Sequence, residues 1–200
     1  MNAKPFFENL KNHAWNIFQY FFGAIELKKN EIINNYNNEK KILEIGCATG
    51  FLSEIFKTNV EYTGIDLNLV RIKIAKKKYP QHKFFGTFKD LNNNRYDFVI
   101  LSAIIHHLSD DDFQKLIKDL SNHVTKDASI FIMEPILPRR NLIKILFLFF
   151  FEKGLFVRSK YDYNRLLVSN NLKVITSKVC TFKLAEISLV DHNSILCRFN

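Results

Sequence analysis

The feature that most constrains the fold is an apolar strand pattern that runs directly into a glycine-containing turn, K-I-L-E-I-G-C-A-T-G-F at residues 41–51. Gly46 and Gly50 permit backbone conformations in which the chain approaches a ligand closely. About 20 residues later, a second strand pattern, T-G-I-D-L, ends at Asp66, whose carboxylate can accept hydrogen bonds from both hydroxyls of a ribose. In open α/β sheets, ligands bind beyond the carboxyl ends of the strands. The two segments together predict a ligand site at one edge of a parallel sheet.

Strand and helix patterns alternate through the rest of the chain, which is typical of an α/β fold with a mostly parallel sheet. Apolar, β-branched and aromatic runs predict strands at residues 41–45, 59–66, 82–87, 96–102, 128–134, 172–182 and 194–199. Helical spacing of apolar residues predicts helices at residues 68–79, 109–123, 139–151 and 159–170. A short polar loop separates the last two strands, so we expect them to be antiparallel to one another.

Two aromatic-rich segments divide the chain into parts. Residues 1–38 are predicted to form an N-terminal helical extension that caps the main domain, residues 39–200. An apolar insertion helix is predicted at about residues 139–152, with cations on both sides. Three interpretations of this helix stay open: a core helix, a lid over an apolar substrate, or a helix in a membrane interface with its cations at the headgroups. Its apolar run has about half of the ~20 residues that a membrane span needs.

The spacing of the turn residues distinguishes between two classes of cofactor. A dinucleotide site needs G-x-G-x-x-G, so that the pyrophosphate meets a helix N-terminus. Here Ala48 stands between Gly46 and Gly50, and no third glycine follows at the required offset. Glu44, at the end of the strand, would repel a phosphate but suits a cofactor with a cationic amino-acid end. This pattern points to S-adenosylmethionine (SAM).

Four motifs in the correct order resemble those of the class I SAM-dependent methyltransferases, especially the small type 11/type 12 group. E-I-G-C-A-T-G resembles the glycine-rich first motif, and G-I-D-L resembles the acidic second motif. Y-D-F-V-I-L-S-A-I-I-H-H-L-S-D, residues 96–110, is similar to the fourth motif, and A-S-I-F-I-M-E-P, residues 128–135, is similar to the fifth strand. The resemblance covers about residues 41–134. It implies a Rossmann-like, seven-stranded, mostly parallel sheet with an antiparallel C-terminal strand and helices on both faces.

The resemblance also implies which residues bind the methionine end of SAM. Glu44 would meet the amino group, directly or through water. Ser102 and Ala103 would lie below the sulfonium. The glycine-rich turn would line the methionine and ribose part through Gly46, Cys47, Ala48 and Gly50.

At the adenosine end, the resemblance implies that Asp66 binds the ribose hydroxyls and that Leu67 packs on the adenine. Thr87 and Phe88 would flank the adenine amino group. Two residues depart from the family pattern. Ala48 replaces the commoner glycine, and Thr87 stands where the family usually has aspartate, so we expect a weaker or backbone-mediated contact to the adenine amino group there.

The adjacent histidines His106 and His107 are the candidates for acid–base chemistry. His107 matches the recurrent histidine of the type 11/type 12 group and is our candidate general base, since the ordinary imidazole pKa of ~6.5 suits proton removal near neutrality. The alternative is that His107 packs or caps at the start of the helix that follows Ser109. Side chains of adjacent residues diverge and no Cys/His/Asp cluster with ligand spacing lies nearby, so no metal site is predicted.

The chain has 29 Lys and Arg against 20 Asp and Glu, which gives a formal net charge of +9. Lysine supplies 22 of these cations and arginine only 7, whereas arginine is the preferred bidentate reader of phosphates and bases. Methyltransferases that act on nucleic-acid bases tend to carry a Pro-Pro-aromatic or Pro-Cys run in the fourth motif, and this chain has L-S-A-I-I. A nucleic-acid substrate is therefore disfavoured.

The function that these observations predict is methyl transfer from SAM to a small-molecule or lipid-linked acceptor, at oxygen or carbon. Two alternatives stay open: a catalytically silent SAM-fold protein that binds or regulates a partner, and a peripheral membrane or RNA-binding module. The N-terminal residues lack the apolar core of a signal peptide. We therefore expect a cytoplasmic protein, with peripheral membrane contact as an option, and free thiols at Cys47, Cys180 and Cys197. The sequence leaves the oligomeric state open.

Overall fold

A computed structural model describes residues 24–56, 59–138, 141–142, 144–145, 155–184 and 187–200. Seven strands form a single sheet in the order β3-β2-β1-β4-β5-β7-β6. The strands are β1 (Lys41–Ile45), β2 (Glu61–Ile65), β3 (Lys83–Phe85), β4 (Tyr96–Ser102), β5 (Val124–Pro135), β6 (Leu172–Leu184) and β7 (Ile187–Phe199).

The pairing of the strands confirms the predicted fold class. Strands β1 to β5 are mutually parallel, with Leu43 of β1 opposite Thr63 of β2 and opposite Val99 of β4. Strand β7 lies between β5 and β6 and is antiparallel to both. The order in which strands are added to the sheet therefore reverses at β1, because β2 and β4 flank it on opposite sides. This is the switch point beyond which an open α/β sheet binds its ligand.

Four α-helices are described, and their ends follow from local sequence. They are α1 (Ala24–Asn35), α2 (Leu69–Lys78), α3 (Asp110–Ser121) and α4 (Lys160–Ser169). The side chains of Asn68, Ser109 and Ser159 accept hydrogen bonds from backbone N–H groups in the first turns of α2, α3 and α4. These caps satisfy donors that have no partner within the helix.

Two apolar clusters cover the two faces of the sheet, because alternate side chains of a strand point to opposite faces. One cluster contains Leu43, Val99 and Ile130 and packs against α3 and α4. The other contains Ile42, Phe98 and Phe131 and includes residues of α1 and α2. Helices therefore lie on both faces, as the resemblance implied. Among the described residues, no helix is long and apolar enough to cross a membrane.

The glycine-rich turn leads into a five-residue 3-10 helix, Phe51–Ile55. Two strands differ from their predicted bounds. Strand β5 begins at Val124, four residues earlier than expected, and β7 extends back to Ile187. Residues 188–193 belong to the predicted loop, yet they form part of β7, and Val190, Asp191 and His192 pair with Phe182, Thr181 and Cys180 of β6. Most of the predicted N-terminal cap and insertion helix lies outside the described residues.

Candidate active site

The glycine-rich turn after β1 is tied to the end of β2. The N–H groups of Gly46 and Cys47 both donate to the carbonyl of Ile65, at 2.8 and 3.0 Å. Gly46, Ala48 and Gly50 adopt φ angles of 76°, 49° and 79°. Ala48 therefore occupies a left-handed conformation that glycine adopts with less strain. The alternation of left-handed residues turns the backbone N–H of Ala48 towards the next strand.

The Asp66 carboxylate receives that N–H group. Ala48 N donates to Oδ2 at 2.9 Å, Asn68 N donates to Oδ1 at 2.8 Å, and the Arg71 guanidinium lies 4.0 Å from Oδ2. The Asp66 side chain is 10% exposed. An ionised carboxylate has about four lone-pair sites, so two stay available for hydroxyl donors. Asp66 is thus held rigidly at the end of β2 with its remaining acceptor capacity next to the turn.

Glu44 is buried between β1 and β2, where the Tyr62 hydroxyl donates to its Oε2. Burial disfavours the charged carboxylate and raises the pKa of Glu44 to about 7, although the Tyr62 hydrogen bond and the Lys28 ammonium of α1 favour the charged form. The neighbouring Asp66 raises the pKa further. Glu44 and Asp66 therefore lie close together at the carboxyl ends of β1 and β2, and a cation bound there would favour the charged form of Glu44.

Cys47 contributes only its backbone to the turn. Its side chain is fully buried in the cluster that contains Ile42, and its Sγ would lie 2.7 Å from a Cβ placed on Gly64. Burial raises the pKa of the Cys47 thiol far above its ordinary value, so this thiol is inert at neutral pH. Gly50 is also closely packed, because a Cβ at this position would lie 2.8 Å from the Phe84 ring.

The predicted adenine-binding residues divide into exposed and packed ones. Leu67 is 85% exposed directly after Asp66, and an exposed leucine at this place offers an apolar surface to a planar ring. The polar groups of Thr87 contact a neighbouring side chain. Its N–H and hydroxyl both donate to Asp90 Oδ2, at 3.0 and 3.3 Å. Phe88 stacks on His123 with ring centroids 5.6 Å apart. The exposed carboxylate near this position is therefore that of Asp90, three residues after the position the family motif occupies.

Beyond β4, the chain turns sharply at Ala103, whose φ is 56° and whose N–H donates to the Met133 carbonyl at 2.9 Å. The Ser102 hydroxyl is buried and, within the described part of the chain, has no hydrogen-bond partner. Ile104 packs on the glycine-rich turn, since a Cβ on Gly46 would lie 2.9 Å from Ile104 Cδ1. The end of β4 therefore contacts the turn after β1 directly.

The two histidines lie in a 3-10 helix, Ile105–His107, that follows this turn. His107 is exposed, whereas His106 is 1% exposed and its Nδ1 lies 2.7 Å from Oε2 of Glu134 at the end of β5. The two imidazole rings contact each other, with centroids 4.1 Å apart. Sequence reasoning identified His107 but missed the partnership of His106 with Glu134, because 28 residues separate them.

Arg158 binds the backbone of the turn that carries the two histidines. Its guanidinium donates to the carbonyls of Ile105 and Leu108, at 3.2 and 2.8 Å, and forms an ion pair with Asp110 at 2.6 Å. Phe156 N donates to the His106 carbonyl at 3.0 Å. A shallow cavity of about 460 Å³ opens beside Arg158, and Asp110, Leu137, Val157, Arg158, Ser159, Asp162, Arg165, Leu166 and Ser169 line it.

These residues fit the cofactor that the motifs imply. Two carboxylates suit the ammonium and the ribose hydroxyls, and an exposed leucine suits the adenine. The buried Ser102 hydroxyl at the end of β4 has no hydrogen-bond partner among the residues that the structure describes. The sheet brings the carboxyl ends of β2, β1 and β4 to one edge, because these three strands are adjacent. The predicted site residues at or just after these ends are Glu44, Gly46, Ala48, Asp66, Ser102 and Ala103. Thr87 and Phe88 lie further out, after β3.

Comparisons with known proteins agree with this geometry. A family model described as a methyltransferase domain matches residues 18–177. The demethylmenaquinone methyltransferase of Chlorobaculum tepidum is 28% identical over 137 residues, which make up 64% of this chain and 57% of that relative. The chain therefore spans a little over half of the length of this curated relative.

Solved structures share the fold at low sequence identity. The mitomycin 7-O-methyltransferase superposes with a TM-score of 0.68 and 17% identity, covering 92% of this chain and 57% of that one. Human N-acetylserotonin methyltransferase, solved in complex with SAM, gives a TM-score of 0.67 and 17% identity over 93% of this chain and 55% of that one.

Proposed function

The chain belongs to the methyltransferase domain family, and we propose on this premise that it transfers the methyl group of SAM to an apolar small-molecule or lipid-linked acceptor, at oxygen or carbon. SAM is the cofactor of the class I fold that the chain adopts. The observation that carries the proposal is the pair of carboxylates, Glu44 and Asp66, held at the switch point of the sheet.

The cofactor half of the proposal assigns each contact to a described residue. The Asp66 carboxylate accepts from the ribose hydroxyls with the lone pairs that Ala48 and Asn68 leave open. Glu44 attracts the methionine ammonium, and Leu67 covers one face of the adenine. When bound, SAM supplies an electrophilic methyl group on a sulfonium. The protein contributes by holding this group and the acceptor in line and by excluding water, which lowers the barrier through orientation.

The acceptor half of the proposal rests on the surface after β5. Leu137, Leu142, Ile145, Leu155 and Phe156 are large apolar side chains that are 39% to 89% exposed. Backbone hydrogen bonds place two of them beside the histidine turn, because Phe156 N donates to the His106 carbonyl and Leu137 N donates to the carbonyl of Arg158, which contacts that turn. Apolar side chains clustered at a ligand edge favour an apolar acceptor. The similarity to a demethylmenaquinone methyltransferase, whose name indicates a quinone substrate, supports the same class.

His107 is the candidate general base. It is exposed at this edge, and an oxygen or carbon acceptor must lose a proton as the methyl group arrives. An imidazole with an ordinary pKa of ~6.5 removes that proton efficiently near neutral pH. We therefore expect acceptors with an acidic O–H or an activated C–H, such as hydroquinones and phenols.

Calorimetric titration with SAM tests the cofactor half. We expect Asp66→Asn to weaken SAM binding by about tenfold or more, because the amide offers an N–H to a site that needs an acceptor. Asp119→Asn, at an exposed position on α3, is the matched control and should bind SAM as the wild type does. Equal affinity of the wild type and Asp66→Asn would contradict this assignment of the site.

Transfer of labelled methyl groups tests the acceptor half. The wild-type protein is incubated with labelled SAM and with hydroquinones that carry short or long apolar tails, the latter in neutral lipid vesicles. We expect label in the hydroquinone products, and more of it as the tail lengthens. Label only in water-soluble polar extracts would overturn the apolar acceptor class, whereas SAM binding without any transfer would favour a silent binding protein.

A further inference from the structure

We propose that SAM displaces a proton from Glu44 when it binds, so that the affinity for the cofactor rises with pH over the range in which the empty site is protonated. The inference rests on the proposed function, because it places the methionine ammonium at Glu44, and it adds a regulation of that same site. The O–H bond of the Glu44 carboxyl breaks, the proton passes to the solvent, and the remaining carboxylate pairs with the ammonium. The covalent structure of SAM does not change in this step.

The surroundings of Glu44 give little support to a permanent charge. Glu44 is 3% exposed, and the Tyr62 hydroxyl donates to its Oε2. An ionised carboxylate has about four lone-pair sites, so one hydroxyl fills about a quarter of its acceptor capacity. Glu134 at the end of β5 is also buried, but three backbone N–H groups donate to its oxygens. In the described part of the chain, Glu44 lacks such backbone donors, and burial then favours the neutral carboxyl.

The charges that face Glu44 oppose one another. Lys28 of α1 favours the charged carboxylate, and Asp66, which follows β2, favours the neutral carboxyl. Arg71 of α2 lies 4.0 Å from Asp66 Oδ2 and offsets part of the Asp66 charge. The Cys47 thiol adds no charge at neutral pH, because burial raises its pKa far above the ordinary value. Burial has the largest influence on Glu44 and raises its pKa to about 7.

The Lys28 charge is a constant part of the site, because the next turn of α1 is fixed on the sheet. The Ser194 hydroxyl of β7 donates to Glu31 at 2.7 Å, and Ile32 is fully buried in the cluster that contains Ile42. Lys28 is 7% exposed and lies on the same side of the helix as these two residues, three and four positions before them. Its influence on Glu44 is therefore present with and without cofactor, whereas the ammonium of SAM arrives only on binding.

This added cation changes the protonation of Glu44. An opposite charge within about 4–6 Å lowers the pKa of a carboxyl group by about 1–3 units. At pH 6, a carboxyl with a pKa of about 7 is about 90% protonated in the empty site. If the pKa falls by about two units when SAM binds, about 0.8 proton is released per cofactor at this pH. The affinity for SAM should then rise about sixfold between pH 5.5 and pH 6.5.

Calorimetric titration of the full chain in buffers with different enthalpies of ionisation measures the released proton. The slope of the observed binding enthalpy against the ionisation enthalpy of the buffer gives the number of protons exchanged. We choose pH 6.0 because an α-amino group with a pKa of about 7.7–8.0 is still protonated in free SAM at this pH, so the cofactor itself takes up no proton. We expect release of about 0.8 proton for SAM.

Two further ligands separate the ammonium from the rest of the cofactor. S-adenosylhomocysteine keeps the ammonium but lacks the sulfonium charge, and it should release the same proton. 5′-Methylthioadenosine keeps the adenosine but lacks the amino-acid end, and it should bind through Asp66 without release. In Glu44→Gln, SAM should bind with release of less than about 0.2 proton, because the amide does not titrate. Glu26→Gln, an exposed change on α1, is the matched control and should behave as the wild type does.

Equal proton release with methylthioadenosine and with SAM, or undiminished release in Glu44→Gln, would overturn the inference. The comparison of ligands uses the wild type alone, so it decides the question even where Glu44→Gln does not fold. SAM binding without proton release would overturn this inference and leave the proposed function intact. Proton-coupled binding without transfer to any acceptor would contradict the proposed function and leave this inference intact, and a lack of SAM binding would contradict both.

Discussion

Replacing Glu44 by glutamine should stabilise the protein without bound cofactor, and increasingly so as the pH rises from about 4 to about 8. Burial raises the pKa of Glu44 from an ordinary 4.5 to about 7 in the folded state. Below pH 4.5 the carboxyl is protonated in both the folded and the unfolded chain. Between the two pKa values, the unfolded chain releases its proton first, so the stability of the wild type falls as the pH rises.

The size of the effect follows from the same two values. One pKa unit corresponds to about 1.4 kcal/mol, so the free energy of unfolding should fall by about 3 kcal/mol across this range because of Glu44 alone. Glutamine keeps an oxygen that can accept from Tyr62 but cannot ionise. The difference in stability between Glu44→Gln and the wild type should therefore grow with pH by about this amount.

Urea unfolding at half-unit pH steps measures this difference. Glu26→Gln, an exposed change on α1, is the matched control and should run parallel to the wild type at every pH. A stability difference between Glu44→Gln and the wild type that stays constant from pH 4.5 to pH 8 would refute the reasoning. Saturating SAM should flatten the wild-type profile if its ammonium lies at Glu44, because that contact favours the charged carboxylate.

Three further predictions concern the backbone of the site. Ala48→Gly should stabilise the protein by up to about 1 kcal/mol in urea unfolding, because glycine adopts the left-handed φ of 49° without the penalty of a Cβ; destabilisation would contradict it. Gly50→Ala should lower the free energy of unfolding by about 2 kcal/mol or more in the same assay, since the φ is 79° and the new Cβ would meet Phe84 at 2.8 Å. Arg158→Met should speed hydrogen exchange at the Phe156 amide, which bonds the His106 carbonyl, with little change at α2; uniform loss of protection would point to global destabilisation instead.

The proximity of the glycine-rich turn to Asp66 was predictable because its signals are local in the sequence. Gly46, Gly50 and Asp66 stand at strand ends that the apolar patterns identify, and the structure joins them through Ala48. The details of Thr87 were less accessible. A hydroxyl three residues before an aspartate is an ordinary capping arrangement, and only the structure shows that Asp90 is the partner.

Long-range pairing limited the prediction elsewhere. Residues 188–193 mix two adjacent buried apolar residues, Leu189 and Val190, with polar ones such as Asp191, which accepts a hydrogen bond from Thr181 of β6. Such a strand lacks the apolar alternation that identifies a buried one. The bond between His106 and Glu134 joins two strand ends that only the order of the sheet brings together. A pattern within one segment carries no information about it.

The packing of α1 on the sheet has a consequence for how the chain can be shortened. A protein that begins at residue 39 would lack Ile32, which is fully buried, and Lys28, which favours the charged form of Glu44. It would also leave Ser194 without Glu31, its acceptor at 2.7 Å. The helix therefore belongs to any minimal fragment meant to bind the cofactor, and a truncation series should start upstream of Ala24.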